Sequence, residues 1–463
     1  MADAGLDWLY GLQKFGMKLG LDNTRALCAL TGHPEQAFAS VLVGGTNGKG
    51  SVSAMLQAIL QAAGARTGLY TSPHLIRPQE RIRLSGRDIA SEDWDEALRS
   101  VREAVAGHLD TPALPRHPTY FEAMTVMAFF AFRRHSVEVA ILEVGLGGRF
   151  DSTNVAEPLL SVVCGVELDH QEQLGSDLAS IASEKAGIFR PGRPALTAEE
   201  KPEALAVLRD LAAAIGARLE SVSETVELDI RDDGLAGPPP RGGLLRVDLR
   251  TPVRFYRDLA VPLPGRHQAR NLALAVRAAE VIAEAKAVSP SGRERVPPRV
   301  NEATVREGLR ATRWPGRMEW VTGQPALLLD AAHNPAGAAA LADGLRRLAP
   351  RRRVLLFAAM QDKDYASMAA ALAGAFDALV TTRPPLDRAA AAADLLEAFR
   401  RLPSSPTSAR AVPSAVPAEA DDDVAAALPR ARALAGPDGI VCVAGSIFLL
   451  GSVCEILQTE GSN

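Results

Sequence analysis

The segment GTNGKGS, from Gly45 to Ser51, directly follows the apolar run Val41, Leu42, Val43 and combines the residue types needed to hold a polyphosphate. Gly45, Gly48 and Gly50, with Gly44 before them, allow a tight turn whose amide N–H groups point inward. Thr46 and Asn47 add polar atoms, Lys49 adds positive charge, and Ser51 offers a hydroxyl to a magnesium ion. ATP is the first cofactor to consider. The strict phosphate-loop pattern would place glycine where Val43 stands and a hydroxyl immediately after the lysine, where Gly50 intervenes. A glycine-rich turn can also serve the fold alone. The flanks favour phosphate, because Val41 to Val43 reads as a buried strand and Ser51 to Ala63 has helical apolar spacing. The loop then lies at a helix N-terminus, where anions are stabilised.

Three other places carry groups able to act beside a triphosphate. In ILEVGLGGRFDSTN a buried strand ends in Glu143 and a glycine turn, which suits a metal-binding carboxylate. A carboxylate ending a strand also serves as a solvated or capping group. In VVCGVELDHQEQLG the apolar run from Leu160 to Val166 leads to Asp169 and His170 at the same predicted sheet edge. Histidine is an unusual ligand for a hard cation, and a helix cap or a surface position also accounts for His170. In ASEKAGIFRPG, Lys185 sits on a helical segment among apolar neighbours, either as a functional amine or as a surface lysine whose stem alone is buried.

The elements that must position these groups alternate. Strand-like runs at 41 to 44, 67 to 71, 139 to 144 and 160 to 166 alternate with helical patterns at 51 to 63, 92 to 106 and 119 to 134. This order predicts an α/β domain with a mostly parallel sheet. Short alternating segments between 216 and 263, such as TVELDIR and LLRVDLRT around GLAGPPPRGG, predict a small antiparallel side sheet of the same domain. A long helix from Gln268 runs into KAVSPSGRERVPPRV, whose composition predicts a linker over 286 to 300 and a boundary at 297. Strand candidates at 326 to 330, 353 to 359, 377 to 381 and 439 to 444 predict a smaller Rossmann-like α/β domain over 298–463, after an ATP-binding domain over 1–297. Pro403 to Asp423 reads as a surface loop, and no internal repeat is visible.

Composition bounds the rest. A chain of 463 residues suits two large domains. With 47% hydrophobic and 23% charged residues and a net charge of −4, it resembles a globular protein with neither nucleic acid nor membrane as a bulk partner. Cys28, Cys164, Cys442 and Cys454 lack CxxC spacing and read as thiols of a reducing cytoplasm. The acidic N-terminus and the short, glycine-broken apolar run from Ile440 to Cys454 predict a cytoplasmic protein.

Taken together, these motifs resemble the Mur ligase superfamily and, within it, the folylpolyglutamate synthase/dihydrofolate synthase family. The resemblance rests on GTNGKGS, SPHL at 72 to 75, ERIRL at 80 to 84, TYFE at 119 to 122, EVGLGGRFDSTN at 143 to 154, LDH at 168 to 170 and EKAGI at 184 to 188. It continues through GRHQARN at 265 to 271, RWPGRME at 313 to 319, LDAAHNP at 329 to 335 and GSIFLLG at 445 to 451, so it spans nearly the whole chain. Phe150 and Ser152 stand where the family pattern has leucine and alanine.

The resemblance implies that Ser51, Glu143 and His170 hold magnesium ions, and that Lys185 is the family's carbamylated lysine, a further metal ligand. It implies that Gln268 and Asn271 lie near the adenine and that Arg313, Asp330 and His333 come from the second domain. Ser72, Pro73, His74, Arg81, Thr119, Phe121, Glu122 and Asp151 fall in the motifs of the pterin-binding side. The implied reaction joins L-glutamate to dihydropteroate or to the glutamate tail of a reduced folate, through an acyl phosphate made from ATP. A bifunctional enzyme is expected, with folylpolyglutamate synthesis alone as the alternative and a monomer as the expected state. His333 could deprotonate the attacking amine, cap a helix or contact phosphate. A cell-wall ligase would carry a further N-terminal domain, and the roughly 44 residues before the loop fall below the ~50 of a small domain. A nucleotide-gated binding protein is the alternative from another class. Replacing Lys49 with Ala is expected to abolish ATP-dependent amide formation while leaving the far-ultraviolet circular dichroism unchanged; retained activity would count against a phosphate-binding role for the loop.

Overall fold

The computed structural model describes residues 4–16, 18, 20–238, 242–285, 297–349, 351–402 and 417–461. Contacts within the chain define two compact units. The first comprises Met1–Leu228, Leu249–Arg257 and Arg270–Thr312, and the second Asp229–Asp248, Asp258–Ala269 and Arg313–Asn463.

The first unit is built on eight strands: β1 (Ala39–Gly44), β2 (Thr67–Tyr70), β3 (Ile82–Leu84), β4 (Arg87–Asp88), β5 (Val139–Glu143), β6 (Pro158–Val163), β7 (Pro194–Thr197) and β8 (Arg218–Ser221). Their order in the sheet is β4-β3-β2-β5-β1-β6-β7-β8. β1 pairs in parallel with β5, Val43 opposite Glu143, and with β6, Gly44 opposite Val163. Val41, Leu42, Ile141, Leu142 and Leu160 are fully buried. Strands covered on both faces read as continuous apolar runs, which is why these were visible in the sequence. The flanking strands β3 and β4 run antiparallel, and they and the short β7 were not anticipated, while β8, within the stretch expected to form the antiparallel side sheet, instead pairs in parallel with β7.

Helices Lys49–Ala62, Ser91–His108 and Tyr120–Arg134 stand close to their expected positions. The last is fixed by a capping box, in which the Thr119 hydroxyl accepts the Glu122 amide and the Glu122 carboxylate accepts the Thr119 amide. Helix Glu302–Ala311 packs on helix Lys49–Ala62 through Gly308, where an added Cβ would lie 2.4 Å from the Ile59 Cα. This backbone contact places the residues up to Thr312 in the first unit. Most of the expected linker, 286–296, lies outside the described residues.

The antiparallel side sheet is present as β9 (Glu227–Asp232), β10 (Leu245–Arg250) and β11 (Phe255–Val261), in the order β11-β10-β9. Its residues are shared between the units, so it does not belong to the first alone as expected. The second unit holds β12 (Glu319–Val321), β13 (Ala326–Leu329), β14 (Arg353–Phe357), β15 (Ala378–Thr382), β16 (Ala418–Asp421) and β17 (Ile440–Ala444), in the order β12-β13-β17-β14-β15-β16. All pairs are parallel except β12 with β13. Leu328, Phe357, Leu379, Phe399 and Cys442 form part of its core, with the rings of Phe357 and Phe399 edge to face at 5.3 Å.

The loop expected from Pro403 to Asp423 requires correction at its end. Residues 403–416 lie outside the described residues, but Ala418–Asp421 pairs with β15 as an edge strand. Its sequence, AEAD, has no branched or aromatic residue, so pairing with a neighbour rather than propensity makes it a strand. Among the described residues no helix is long and apolar enough to cross a membrane, and none of the four cysteines forms a disulfide. Gly308→Ala is expected to destabilise the protein by about 1–3 kcal/mol through overpacking, lowering the urea midpoint of unfolding. An unchanged midpoint would show that the two helices tolerate a wider separation.

Candidate active site

The loop after β1 enters helix Lys49–Ala62 through two glycines at positive φ, Gly45 at 132° and Gly48 at 88°. A Cβ at Gly45 would lie 3.0 Å from the Cys164 backbone nitrogen, and one at Gly48 would lie 2.4 Å from Asn271 Oδ1. Asn271, on helix His267–Glu284, therefore overhangs the loop. Lys49 Nζ donates to the carbonyls of Gly45 at 3.1 Å and Thr46 at 2.9 Å. The ammonium is thus folded across its own turn, and those weak neutral acceptors are of a kind an anionic oxygen would replace. Gly50 is buried and Asn47 half-buried. The Ser51 hydroxyl, in the first turn of the helix, is buried without a hydrogen-bond partner. A buried hydroxyl left so carries a free-energy cost that a ligand can relieve.

Around this loop the parallel register delivers the remaining groups of the first unit. Glu143 ends β5 beside Val43, is buried, and accepts the Ser72 amide at 3.2 Å on Oε2. Asp169 is buried, and its Oδ1 accepts the His170 amide at 2.9 Å. His170 takes a left-handed backbone conformation at the start of the short helix Gln171–Leu174, and its side chain is 39% exposed. Lys185, on helix Leu178–Ala186, is 3% exposed. Burial, and then the charge of Lys49, push its pKa down to about 7 against the opposing effects of Asp169 and Cys164. Its amine is therefore available in the neutral, nucleophilic form near neutral pH.

Among the described residues no three His, Cys, Asp or Glu side chains converge to hold a metal ion. Magnesium needs no such cluster, since it is commonly held by one or two carboxylates, retained waters and substrate phosphates. The partnerless Ser51 hydroxyl and the buried carboxylate of Glu143 fit that mode.

On the side of the sheet beyond β2, Arg81 Nε donates to His74 Nδ1 at 2.9 Å, and its guanidinium lies 5.2 Å from the centre of the Tyr120 ring. Burial, then the Arg81 charge, push His74 down to about 4, so it stays neutral and accepts. Tyr120 stacks on Tyr10, and Phe121 tilts against Tyr70 with ring centres 5.9 Å apart. Ser72 and the exposed Pro73 are joined by a cis peptide at the head of this loop. The Glu80 carboxylate holds the loop by accepting the amides of Leu75, Ile76 and Arg77.

Three residues expected to touch substrate have other partners here. Besides the capping box, Glu122 accepts two hydrogen bonds from Arg116 and one from Asn23. Asp151 accepts the amides of Gly145, Leu146 and Thr153 and the Thr153 hydroxyl at 2.6 to 3.0 Å, while burial pushes its carboxyl up. Thr119, Glu122 and Asp151 thus shape the helix start and glycine turn, because buried amides require acceptors. Glu80 and Tyr120 were missed. The signal for Glu80 was its place three residues after Arg77, with Pro78 between, the pattern of a helix start.

In the second unit Asp330 follows β13 and is buried. It accepts the Met318 and Ala332 amides at 2.9 Å each, and burial pushes its carboxyl up against the opposing charges of His267 and Arg317. His333 Nδ1 lies 2.9 Å from the Ala331 carbonyl, which only accepts, so Nδ1 carries the proton and Nε2 is the basic atom. Arg313 is exposed, and Gln268 is buried in the first turn of helix His267–Glu284.

Residues 43–279 match the Mur ligase middle domain, and residues 316–447 match the Mur ligase glutamate ligase domain. The dihydrofolate synthase/folylpolyglutamate synthase of Bacillus subtilis (strain 168) is 35% identical over 97% of this chain and 98% of its own length. The structure of Escherichia coli FolC in complex with DHPP and ADP superposes with a TM-score of 0.82 at 30% identity, covering 99% of both chains. A bifunctional folylpolyglutamate synthase/dihydrofolate synthase with Mn, AMPPNP and L-glutamate bound gives a TM-score of 0.79 at 28% identity, covering 99% of this chain and 98% of that one. Fold and matched domains together are those of a Mur ligase. Within that superfamily, the chain belongs to the dihydrofolate synthase/folylpolyglutamate synthase family.

The depressed pKa of Lys185 has a consequence for stability. Below about 7 the amine is protonated in both folded and unfolded chains, and the burial penalty is fully present. Between there and the unfolded value of about 10.4 the unfolded state binds more protons, so stability rises with pH. In buffer free of carbon dioxide, the native protein is therefore expected to gain stability relative to Lys185→Met from pH 7 to pH 10. A pH-independent difference in denaturation would rule this out.

Proposed function

We propose that this chain is an ATP-dependent carboxylate–amine ligase that joins L-glutamate to dihydropteroate and to the glutamate tail of reduced folates. The observation that carries the reading is the partnerless, buried Ser51 hydroxyl in the glycine loop, with Lys49 beside it and Glu143 on the adjacent strand. ATP is the phosphoryl donor and a divalent cation its partner. Residues 1–297 are proposed as the ATP-binding domain and 298–463 as the glutamate ligase domain, in a monomeric cytoplasmic enzyme.

A carboxylate does not react with an amine at neutral pH, because its oxygens are poor leaving groups. Transfer of the γ-phosphoryl group to the pteroate or folyl carboxylate gives an acyl phosphate and ADP. The glutamate amine then forms the amide bond, and inorganic phosphate leaves. Lys49, withdrawn from its two loop carbonyls, would neutralise charge on the phosphoryl oxygens, and the loop amides of Thr46 to Gly50 would hold them. When bound, magnesium draws further charge from the same oxygens, with Ser51, Glu143, His170 and a carbamylated Lys185 as the proposed ligands. The neutral Lys185 amine suits carbamylation, in which it adds carbon dioxide and releases a proton. Asn271 and Gln268 are assigned to the adenine, and Arg313 and Asp330 to the nucleotide. His333 Nε2 is assigned either to taking the proton of the glutamate ammonium or to contacting phosphate. Ser72, Pro73, His74, Arg81 and Phe121 are assigned to the pterin side, with Thr119, Glu122 and Asp151 shaping it.

Mass analysis of products after incubation with ATP, glutamate and either dihydropteroate or a reduced folate is the test. A mass gain of one glutamate on dihydropteroate and of one or more on the folate is expected. Addition to the folate alone would restrict the enzyme to folylpolyglutamate synthesis. Glutamate-independent nucleotide hydrolysis without any product would indicate a nucleotide-gated binding protein.

A further inference from the structure

The tripeptide Glu199-Glu200-Lys201, after β7, bears no motif and none of the roles assigned above, yet its three side chains reach segments that carry site residues. Glu199 is 2% exposed. Its Oε2 accepts the Val166 amide at 2.5 Å, and its Oε1 accepts the amides of Glu200 at 2.9 Å and Lys201 at 2.7 Å. Its own amide bonds to the Thr197 hydroxyl, which donates to the Val163 carbonyl at the end of β6. Lys201 Nζ donates to the Val166 carbonyl at 3.0 Å and pairs with Glu167 Oε1 at 2.5 Å. Glu200 pairs with Arg270 at 2.5 Å, the residue preceding Asn271.

The segment held in this way, Val166 to His170, is in turn clasped by the phosphate loop. The Thr46 amide donates to Gly165 O at 2.8 Å, the Thr46 hydroxyl donates to Glu167 O at 3.2 Å, and the Glu167 amide donates to the Thr46 hydroxyl at 3.0 Å. Asp169, whose charge acts on Lys185, lies two residues further on. A carboxylate that accepts backbone amides from two segments fixes their separation far more tightly than apolar packing does, because each bond is directional.

We propose that Glu199 and Lys201 are positioning residues for the nucleotide and metal site. They fix the Val166–Glu167 segment, which Thr46 of the phosphate loop also grips, against the end of β7, and Glu200 ties Asn271 into the same bracket through Arg270. This inference rests on the site reading given above. Outer groups that orient ligand-bearing segments typically change metal affinity by about 10–100-fold when removed.

The test is calorimetric titration of the intact protein with ADP at a series of magnesium concentrations, together with steady-state kinetics. Lys201 is 40% exposed, so Lys201→Met is expected to fold. It is expected to raise the magnesium concentration for half-maximal ADP binding, and the KM for ATP, by about tenfold, while the KM for glutamate stays unchanged. Lys201→Arg is expected to restore both. Glu199→Gln, which sets an NH2 donor against backbone amides on one side, is expected to do the same or more. If it does not fold, the Lys201 pair decides. A folded Lys201→Met protein with native magnesium and ATP dependence, or one in which glutamate, ATP and magnesium parameters all drift together, would overturn the proposal. Absence of any magnesium-dependent ADP binding by the native protein would instead overturn the site reading itself.

Discussion

Parallel pairing of β5, β1 and β6 is the constraint on which the first unit's chemistry depends. It brings the carboxyl ends of three strands to one edge, and every candidate ATP or metal group of that unit except Lys185 and Asn271 follows directly from one of those ends. Because neighbouring strands lie only about 4.8 Å apart, Glu143 and the phosphate loop need no long side chain to share a crevice. The two exceptions come from helices packed over the same edge. Lys185 is burdened by Lys49, and Asn271 overhangs Gly48.

Burial has opposite meanings at different residues here. At Glu122 and Asp151 the buried carboxylates are saturated with internal donors, so their charge organises backbone and is already committed. Ser51 is buried without a partner, and Lys185 is buried at the cost of its charge. A native interior leaves few polar groups in such a state, and both lie where the loop geometry favours an anion.

Legibility in the sequence followed the same physical division. β1, β5, β6, β13, β14, β15 and β17 were visible because strands buried on both faces must be apolar along their length. The helices after β1 and before β5 were visible from their period, and the antiparallel side sheet from its alternation. The short β3, β4, β7, β8, β12 and β16 were not visible. AEAD in β16 carries no strand signal, and only its pairing with β15 defines it. In the site, glycine spacing and strand-ending acids were readable locally. What was hidden is what a side chain spends its hydrogen bonds on: nothing in TYFE distinguishes a capping glutamate from a ligand-binding one, and nothing around Glu199 marks it as a hub. The division into units was also hidden, because the contact through Gly308 joins residues some 250 positions apart, and no composition shift records it.

That interleaving bears on how the chain acquires its structure as it leaves the ribosome. The first unit lacks the helix that covers Ile59 until residue 312 has emerged, although its central strands β1, β5 and β6 are complete at Val163, about 150 residues earlier. Meanwhile Asp229–Asp248 and Asp258–Ala269 are translated well before the strands with which they will group. The first unit can therefore close once residue 312 is out, in keeping with the usual order in which an N-terminal domain folds as a unit during synthesis, whereas the two early segments of the second unit must wait for strands translated from residue 319 onward.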